Sequence, residues 1–135
     1  MAESETHLYL VKKIDQYVEC VLKIDRGYIM LDAPNYSSFN KPPLIRDFRP
    51  DVYAKTKNLL IIGEAKTEED WDKRHSHEQY RAYVNECLNF CGAAILIIAV
   101  PWRVERSIRS RIKNMFKIDD LPNKSVLIIS DMWGI

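Results

Sequence analysis

The sequence predicts an α/β protein in which a mixed β-sheet is sandwiched between helices. Residues 93–100 and 125–130 are apolar at almost every position, which is typical of strands covered on both faces. Elsewhere, apolar residues recur every three or four positions, which indicates amphipathic helices. The order of helix, hairpin strands, helix, strand, helix and strand favours a layered α/β arrangement.

The 135 residues are 47% hydrophobic and 29% charged, a composition typical of one globular domain around one core. We therefore treat residues 1–135 as a single domain. An odd number of cysteines, three, indicates neither a disulfide framework nor a zinc ribbon. The longest apolar run is far shorter than the roughly 20 residues of a membrane span, and no signal-peptide pattern opens the chain. The sequence thus predicts a soluble, cytoplasmic protein without a membrane partner.

The first predicted element is an amphipathic helix over about 5–24, followed by Gly27. A short strand over 27–31 comes next. Residues 32–48 carry three prolines and lack both periodicities, so they predict an ordered loop. Because long loops often carry function, this loop is a candidate lid that contacts the substrate.

Two apolar runs, 49–54 and 59–67, flank a short polar segment and predict a β-hairpin. A second helix is predicted over 77–91, where Gly92 supplies the expected stop. After the first of the two apolar strands, a third helix is predicted over 102–117. The second apolar strand closes the domain.

Charged residues on the hairpin form the first candidate site. Asp51 lies on its first strand, and Glu64 and Lys66 end its second strand, which is otherwise almost wholly apolar. A two-residue turn at Lys57 and Asn58 would make the two acids direct neighbours across the hairpin. Like charges about 5 Å apart repel each other unless a positive charge lies between them. A divalent cation is the simplest such charge.

Strand geometry extends this metal-site hypothesis. Since side chains alternate along a strand, Lys66 points to the same side as Glu64, and Ala65 can offer its backbone carbonyl oxygen. Two carboxylates, a carbonyl and water suit Mg²⁺ or Mn²⁺, and a lysine can hold or activate a water beside the metal. These are the groups needed to hydrolyse a phosphodiester. The alternative is an ordinary ion pair between Asp51 and Lys66, and a one-residue slip would put the two acids on opposite faces.

Three short motifs around the hairpin resemble those of the PD-(D/E)xK nuclease superfamily. Residues 50–51 (Pro-Asp) resemble its PD element, and residues 64–66 (Glu-Ala-Lys) resemble its (D/E)xK element on the next strand. Gln79 and Tyr83 match the Q-x-x-x-Y helix motif of a subset of the superfamily. That subset includes the nuclease domains of recombination helicase-nucleases and of type I restriction motor subunits.

The resemblance covers residues 49–83 by motif and 5–130 by the order of predicted elements. It implies a restriction-endonuclease-like fold, a three-layer core with a mixed central sheet flanked by helices. It also implies metal-dependent cleavage of DNA, in which Asp51 and Glu64 hold the metal and Lys66 assists the attacking water.

Helix residues add further candidates that depend on the resemblance. Gln79 would orient the scissile phosphate or a metal-bound water, and Tyr83 would pack or hydrogen-bond beside it; the alternative for both is surface packing. Members of the superfamily often add an acidic residue from the first helix. Asp15 and Glu19 lie four apart on one edge of the apolar stripe, and we prefer Glu19 as the added metal ligand. The alternative is that both are solvated carboxylates.

Positive charges cluster on the third predicted helix. Its outward face carries Arg103, Arg106, Arg109, Lys113 and Lys117. Phosphate backbones bind such faces without sequence information, so we expect these residues to bind nucleic acid, although a solvated helix face fits the pattern equally well. The whole-chain net charge is only +1 and indicates no partner.

These observations predict an endonuclease that hydrolyses DNA phosphodiester bonds with Mg²⁺ or Mn²⁺. They leave open a nuclease that acts on RNA or on a specialised DNA structure. They also leave open a catalytically inactive nucleic-acid-binding or assembly module of the same fold. Since a domain this small has little surface to enclose a duplex, we expect a homodimer or a subunit of a larger complex.

Overall fold

The computed structural model describes residues 4–33, 41–117 and 121–134. Within these ranges the chain forms three α-helices and one five-stranded sheet. In chain order the elements are α1 (Glu5–Cys20), β1 (Ile29–Leu31), β2 (Val52–Lys55), β3 (Leu59–Ala65), α2 (Arg74–Asn89), β4 (Ala93–Val100), α3 (Glu105–Met115) and β5 (Lys124–Ser130). Short 3₁₀ helices at Arg26–Tyr28 and Trp102–Val104 precede β1 and α3.

The strands lie in the sheet in chain order, β1-β2-β3-β4-β5. The first three strands pair antiparallel, whereas β3, β4 and β5 pair parallel, so the sheet is mixed. Each parallel connection crosses through a helix, α2 and then α3. The α/β prediction is therefore confirmed at this level. The end of the sheet at which β3, β4 and β5 terminate, here called the C-terminal edge, is where ligands bind in many α/β proteins.

Helices cover both faces of this sheet. On one face α1 packs through Leu10, Val11, Ile14 and Val18. On the other face α2 and α3 pack together, with Tyr80, Tyr83, Ile108 and Ile112 buried among them. Because β4 lies between both layers, its uninterrupted apolar sequence matches its surroundings. Within the described residues, no helix is long and apolar enough to cross a bilayer.

The hairpin has the predicted register, in which Val52 faces Gly63. Its turn is closed by the backbone N–H of Thr56, which donates to the carbonyl of Leu59 (2.8 Å). Both strands are shorter than predicted at their outer ends. One reason is Pro50, which has no N–H to donate to a longer ladder. Continued one residue beyond the ladder, this register puts Asp51 opposite Glu64.

The predicted end of α1 was wrong by four residues. The helix stops at Cys20 because Lys23, with φ of 60°, takes the left-handed position that Gly27 was expected to provide. The N–H of Ile24 then donates to the carbonyl of Val18 (3.2 Å), which satisfies one of the last carbonyls of the helix. A lysine in this role gives no clear signal in the sequence.

The second helix begins three residues earlier than predicted, at Arg74, and ends at Asn89. The predicted lid over 32–48 falls partly outside the described residues, at positions 34–40. Its described end is packed rather than open, since Ile45 is buried and bonds through its N–H to the carbonyl of Phe48 (2.7 Å).

Gly92 lies where the hairpin turn approaches the start of β4. A Cβ added there would lie 2.4 Å from the carbonyl oxygen of Asn58, which also accepts the N–H of Ala93 (3.0 Å). We expect Gly92→Ala to lower the free energy of unfolding by about 1–3 kcal/mol, because backbone must move to relieve the overlap. Gly27→Ala is the matched control, since a Cβ there meets nothing within 4 Å. Denaturant titration measures both, and equal stability of the two variants would contradict the close approach.

Candidate active site

The carboxylates of Asp51 and Glu64 continue the hairpin where its backbone ladder stops. The N–H of Asp51 donates to Oε2 of Glu64 (3.1 Å), and the N–H of Ala65 donates to Oδ2 of Asp51 (2.9 Å). The two acids are only 7% and 4% exposed. The structure thus brings together the pair that the sequence placed across the hairpin. Each carboxylate is fixed by the backbone of the other strand.

Gln79 connects Glu64 to Lys66 from α2. Its Nε2 donates to Oε1 of Glu64 (3.2 Å), and its Oε1 accepts a hydrogen bond from Nζ of Lys66. Nζ of Lys66 lies 3.7 Å from Oε1 of Glu64. All three side chains are buried. The lysine therefore pairs with Glu64, and not with Asp51 as the alternative interpretation required.

Tyr83 is fully buried one helical turn after Gln79, so the surface-packing alternative for these two residues is wrong. Its ring contacts the ring of Phe48, at the packed end of the long loop, with 6.5 Å between centroids. Within the described part of the chain its hydroxyl makes no hydrogen bond. Burial and the negative charges of Glu64 and Asp51 raise the pKa of Tyr83, so the hydroxyl keeps its proton and remains a donor.

The electrostatics of the two acids are unfavourable in the absence of a cation. Burial, followed by the negative charge of Asp51, raises the pKa of Glu64 well above its usual range, and the positive charge of Lys66 only partly opposes this. The carboxyl group of Glu64 therefore favours its protonated form. A divalent cation bound by Asp51 and Glu64 would replace that proton.

His7 is a site residue that the sequence analysis missed. Its Nε2 lies 3.2 Å from Oδ2 of Asp51, and its side chain is largely buried. Ser4 caps the helix by accepting the N–H of His7 (3.1 Å). A signal was present, because His7 continues the apolar stripe of Val11 and Ile14 at helical spacing. A polar residue that extends a buried stripe points toward the sheet.

The structure does not bring Glu19 or Asp15 to this group. Both bind Arg26 instead, with its Nε 3.0 Å from Oε2 of Glu19 and its Nη1 2.7 Å from Oδ1 of Asp15. Glu19 lies about 18 Å along the helix axis from His7, which contacts Asp51. The preference for Glu19 as a metal ligand is thus corrected, because the N-terminal end of α1 faces the hairpin carboxylates.

The basic residues of the third predicted helix divide into two groups. Arg103, Arg106 and Arg109 line a shallow concavity with Trp102 and Glu105. Glu105 binds Arg109 (2.9 Å) and so neutralises one of the three. This group follows the end of β4 and therefore lies at the C-terminal edge.

Lys113 lies at the other end of α3, and Lys117 follows that end because the helix predicted over 102–117 extends only from Glu105 to Met115. Both are exposed. Since Lys113 follows Arg103 by ten residues, it lies roughly 15 Å farther along the helix axis. The five positive charges predicted to bind nucleic acid thus do not form one compact patch.

Within the described ranges, no three His, Cys, Asp or Glu side chains are grouped so that they could hold a metal ion. Comparisons with known proteins assign no family, because no family model matches the chain and neither curated proteins nor solved structures give a significant match. What the site can do follows from its own geometry: two coupled acids, a carbonyl, a histidine, an amide and a lysine at the ends of two buried strands.

Proposed function

We propose that this protein is a metal-dependent nuclease that hydrolyses DNA phosphodiester bonds, built on a restriction-endonuclease-like core. One observation carries the proposal. Asp51 and Glu64 exchange hydrogen bonds with each other's strands while Lys66 lies against Glu64. The resemblance of these residues to the PD-(D/E)xK motifs supports the same reading. A homodimer or a larger complex would supply the surface that the domain lacks.

The donor atoms of the site suit Mg²⁺ or Mn²⁺, which prefer oxygen ligands. Asp51 and Glu64 supply two carboxylates. The N–H of Ala65 bonds to Asp51, and since the N–H and carbonyl of one strand residue point the same way, its carbonyl faces that side too. His7, whose Nε2 lies 3.2 Å from Oδ2 of Asp51, orients that carboxylate and is not needed as a ligand. A bound metal would stabilise charge developing on the phosphate and lower the pKa of the attacking water.

The other residues have roles that do not depend on metal ligation. Lys66 provides a positive charge for the phosphate or the attacking water, and Gln79 positions its ammonium group by accepting a hydrogen bond. Tyr83 packs against Phe48 beside this group and keeps its hydroxyl protonated. Burial of these groups strengthens their interactions with a negatively charged substrate.

A nucleic-acid-binding module without catalytic activity is the second candidate. The observation that favours it is that Trp102, Arg103 and Arg106 are exposed at the C-terminal edge and do not take part in the carboxylate group. Such a surface binds phosphates and bases without any metal.

Cleavage assays separate the candidates. Purified protein is incubated with plasmid, linear and branched DNA and with RNA, in Mg²⁺, Mn²⁺ or EDTA. We expect cleavage of DNA only with a metal, and about a hundredfold loss of rate in Lys66→Met, which keeps the side-chain volume but removes the charge. Lys12→Met, at an exposed lysine of α1, is the matched control. Binding without cleavage under every condition would favour the module, and preferential cleavage of RNA would change the substrate.

A further inference from the structure

We propose that Trp102, with Arg103 and Arg106, forms a stacking platform for single-stranded nucleic acid, so that the substrate reaches the site as an unpaired strand. This inference rests on the proposed function for its purpose, but the binding itself requires no catalysis. The name stacking platform is used below for these three residues.

The side chain of Trp102 is displayed on a fixed backbone. Trp102 is 57% exposed. Its backbone N–H donates to Oδ1 of Asp131 (3.0 Å), and the N–H of Asp131 donates to the carbonyl of Val100 (3.2 Å). Met132, next along the chain, is also 54% exposed. A large ring held this way loses little freedom when a base stacks on it.

Two arginines lie beside this ring, and the nearby acids Glu105 and Asp131 bind Arg109 and the backbone N–H of Trp102. The guanidinium of Arg103 lies 5.8 Å from the centroid of the Trp102 ring. Among the described residues, neither Arg103 nor Arg106 has an ion-pair partner, whereas Arg109 is neutralised by Glu105. An aromatic face beside unpaired arginines is the combination that binds single strands, since bases stack on the ring while phosphates meet the guanidinium groups.

The platform lies next to the candidate active site. Ala65 pairs with Ala99, and the N–H of Lys66 donates to the carbonyl of Ala99 (2.9 Å). Trp102 follows three residues later, roughly 10 Å along the chain. A strand stacked on Trp102 therefore needs only a few nucleotides to reach Lys66. In a duplex, base faces are stacked and unavailable to the ring, so the ring favours unpaired strands.

Fluorescence anisotropy in EDTA tests the platform without cleavage. The probes are labelled oligo-dT, oligo-rU and a blunt DNA hairpin of matched length. We expect Trp102→Ala to weaken binding of oligo-dT about tenfold and to change hairpin binding less than about twofold. Trp102→Phe should stay within about threefold of wild type. Tyr28→Ala is the control, since Tyr28 is an equally exposed aromatic residue (53%) outside the platform.

Tryptophan fluorescence gives an independent measurement. Oligo-dT should quench the emission of Trp102 in the wild-type protein. In Trp102→Phe this quenching should be absent, although the variant still binds oligo-dT. Equal losses for oligo-dT and hairpin, or no loss in Trp102→Ala, would overturn the platform. Stronger binding of oligo-rU would assign it to RNA. Because EDTA prevents metal-dependent cleavage, intact stacking in a protein that never cleaves would count against the nuclease alone.

Discussion

Asp51→Asn is expected to reduce metal-dependent DNA cleavage by at least about a thousandfold while the protein remains folded. The substitution removes one of the two proposed anionic ligands, and a catalytic metal contributes several kcal/mol to transition-state stabilisation. The asparagine Oδ1 can still accept the N–H of Ala65, which in the wild type donates to Asp51 at 2.9 Å. The hairpin therefore keeps its side-chain bond, and loss of activity is not loss of fold.

The control for this substitution is Asp47→Asn, at an exposed aspartate that precedes the hairpin in the sequence. Rates are measured with linear DNA at saturating Mn²⁺, and thermal melting checks that both variants fold. Calorimetric titration with Mn²⁺ provides the direct measurement, in which the heat of binding should disappear only in Asp51→Asn. Wild-type cleavage by Asp51→Asn would place the metal elsewhere.

The geometry of this site begins with a proline. Pro50 cannot donate to the ladder, so β2 begins only at Val52, and beyond it carboxylates accept the next hydrogen bonds from backbone N–H groups. Asp51 and Glu64 therefore hold the strands together, and their remaining lone pairs are the ones that the proposed metal would use. This link between a short strand and two fixed acids explains why charged groups are tolerated at the end of an apolar strand.

Local patterns were sufficient to predict the hairpin site. Alternation and a two-residue turn determine the register, and the register alone makes Asp51 and Glu64 neighbours. The α/β order likewise follows from apolar runs and helical stripes. Gln79 could be assigned to the site only through the resemblance. Helical periodicity shows on which side of its helix Gln79 lies, but not which strand that side packs against.

What could not be predicted depends on how elements dock. Helical periodicity tells which face of α1 is buried, but not which of its ends lies at the C-terminal edge, so Glu19 was preferred to Asp15 and His7 was not considered. The same limit applies to Trp102. An aromatic residue after a buried strand can either pack against the core or remain exposed, and only the structure shows that Trp102 is 57% exposed.

Glu64→Gln is expected to stabilise the metal-free protein, and to do so more strongly at pH 8 than at pH 5. Burial and the charge of Asp51 raise the folded-state pKa of Glu64 above its ordinary value near 4.5. The contribution of protonated Glu64 to stability is therefore complete below that ordinary value and is lost as the pH rises through the folded-state pKa. Glutamine resembles the protonated acid at every pH, so the difference in melting temperature should widen with pH in EDTA.

Metal should reverse the order of stability. Saturating Mn²⁺, at about a hundred times its dissociation constant, stabilises the wild type by about 2.7 kcal/mol, or on the order of 10 °C in melting temperature. The effect should grow with pH because binding displaces the proton held by the acid pair. Glu64→Gln should show little of this shift, whereas Glu69→Gln, at an exposed acid just beyond the strand, should behave as wild type. Parallel pH profiles for wild type and Glu64→Gln, or equal stabilisation of both by Mn²⁺, would remove Glu64 from the metal site.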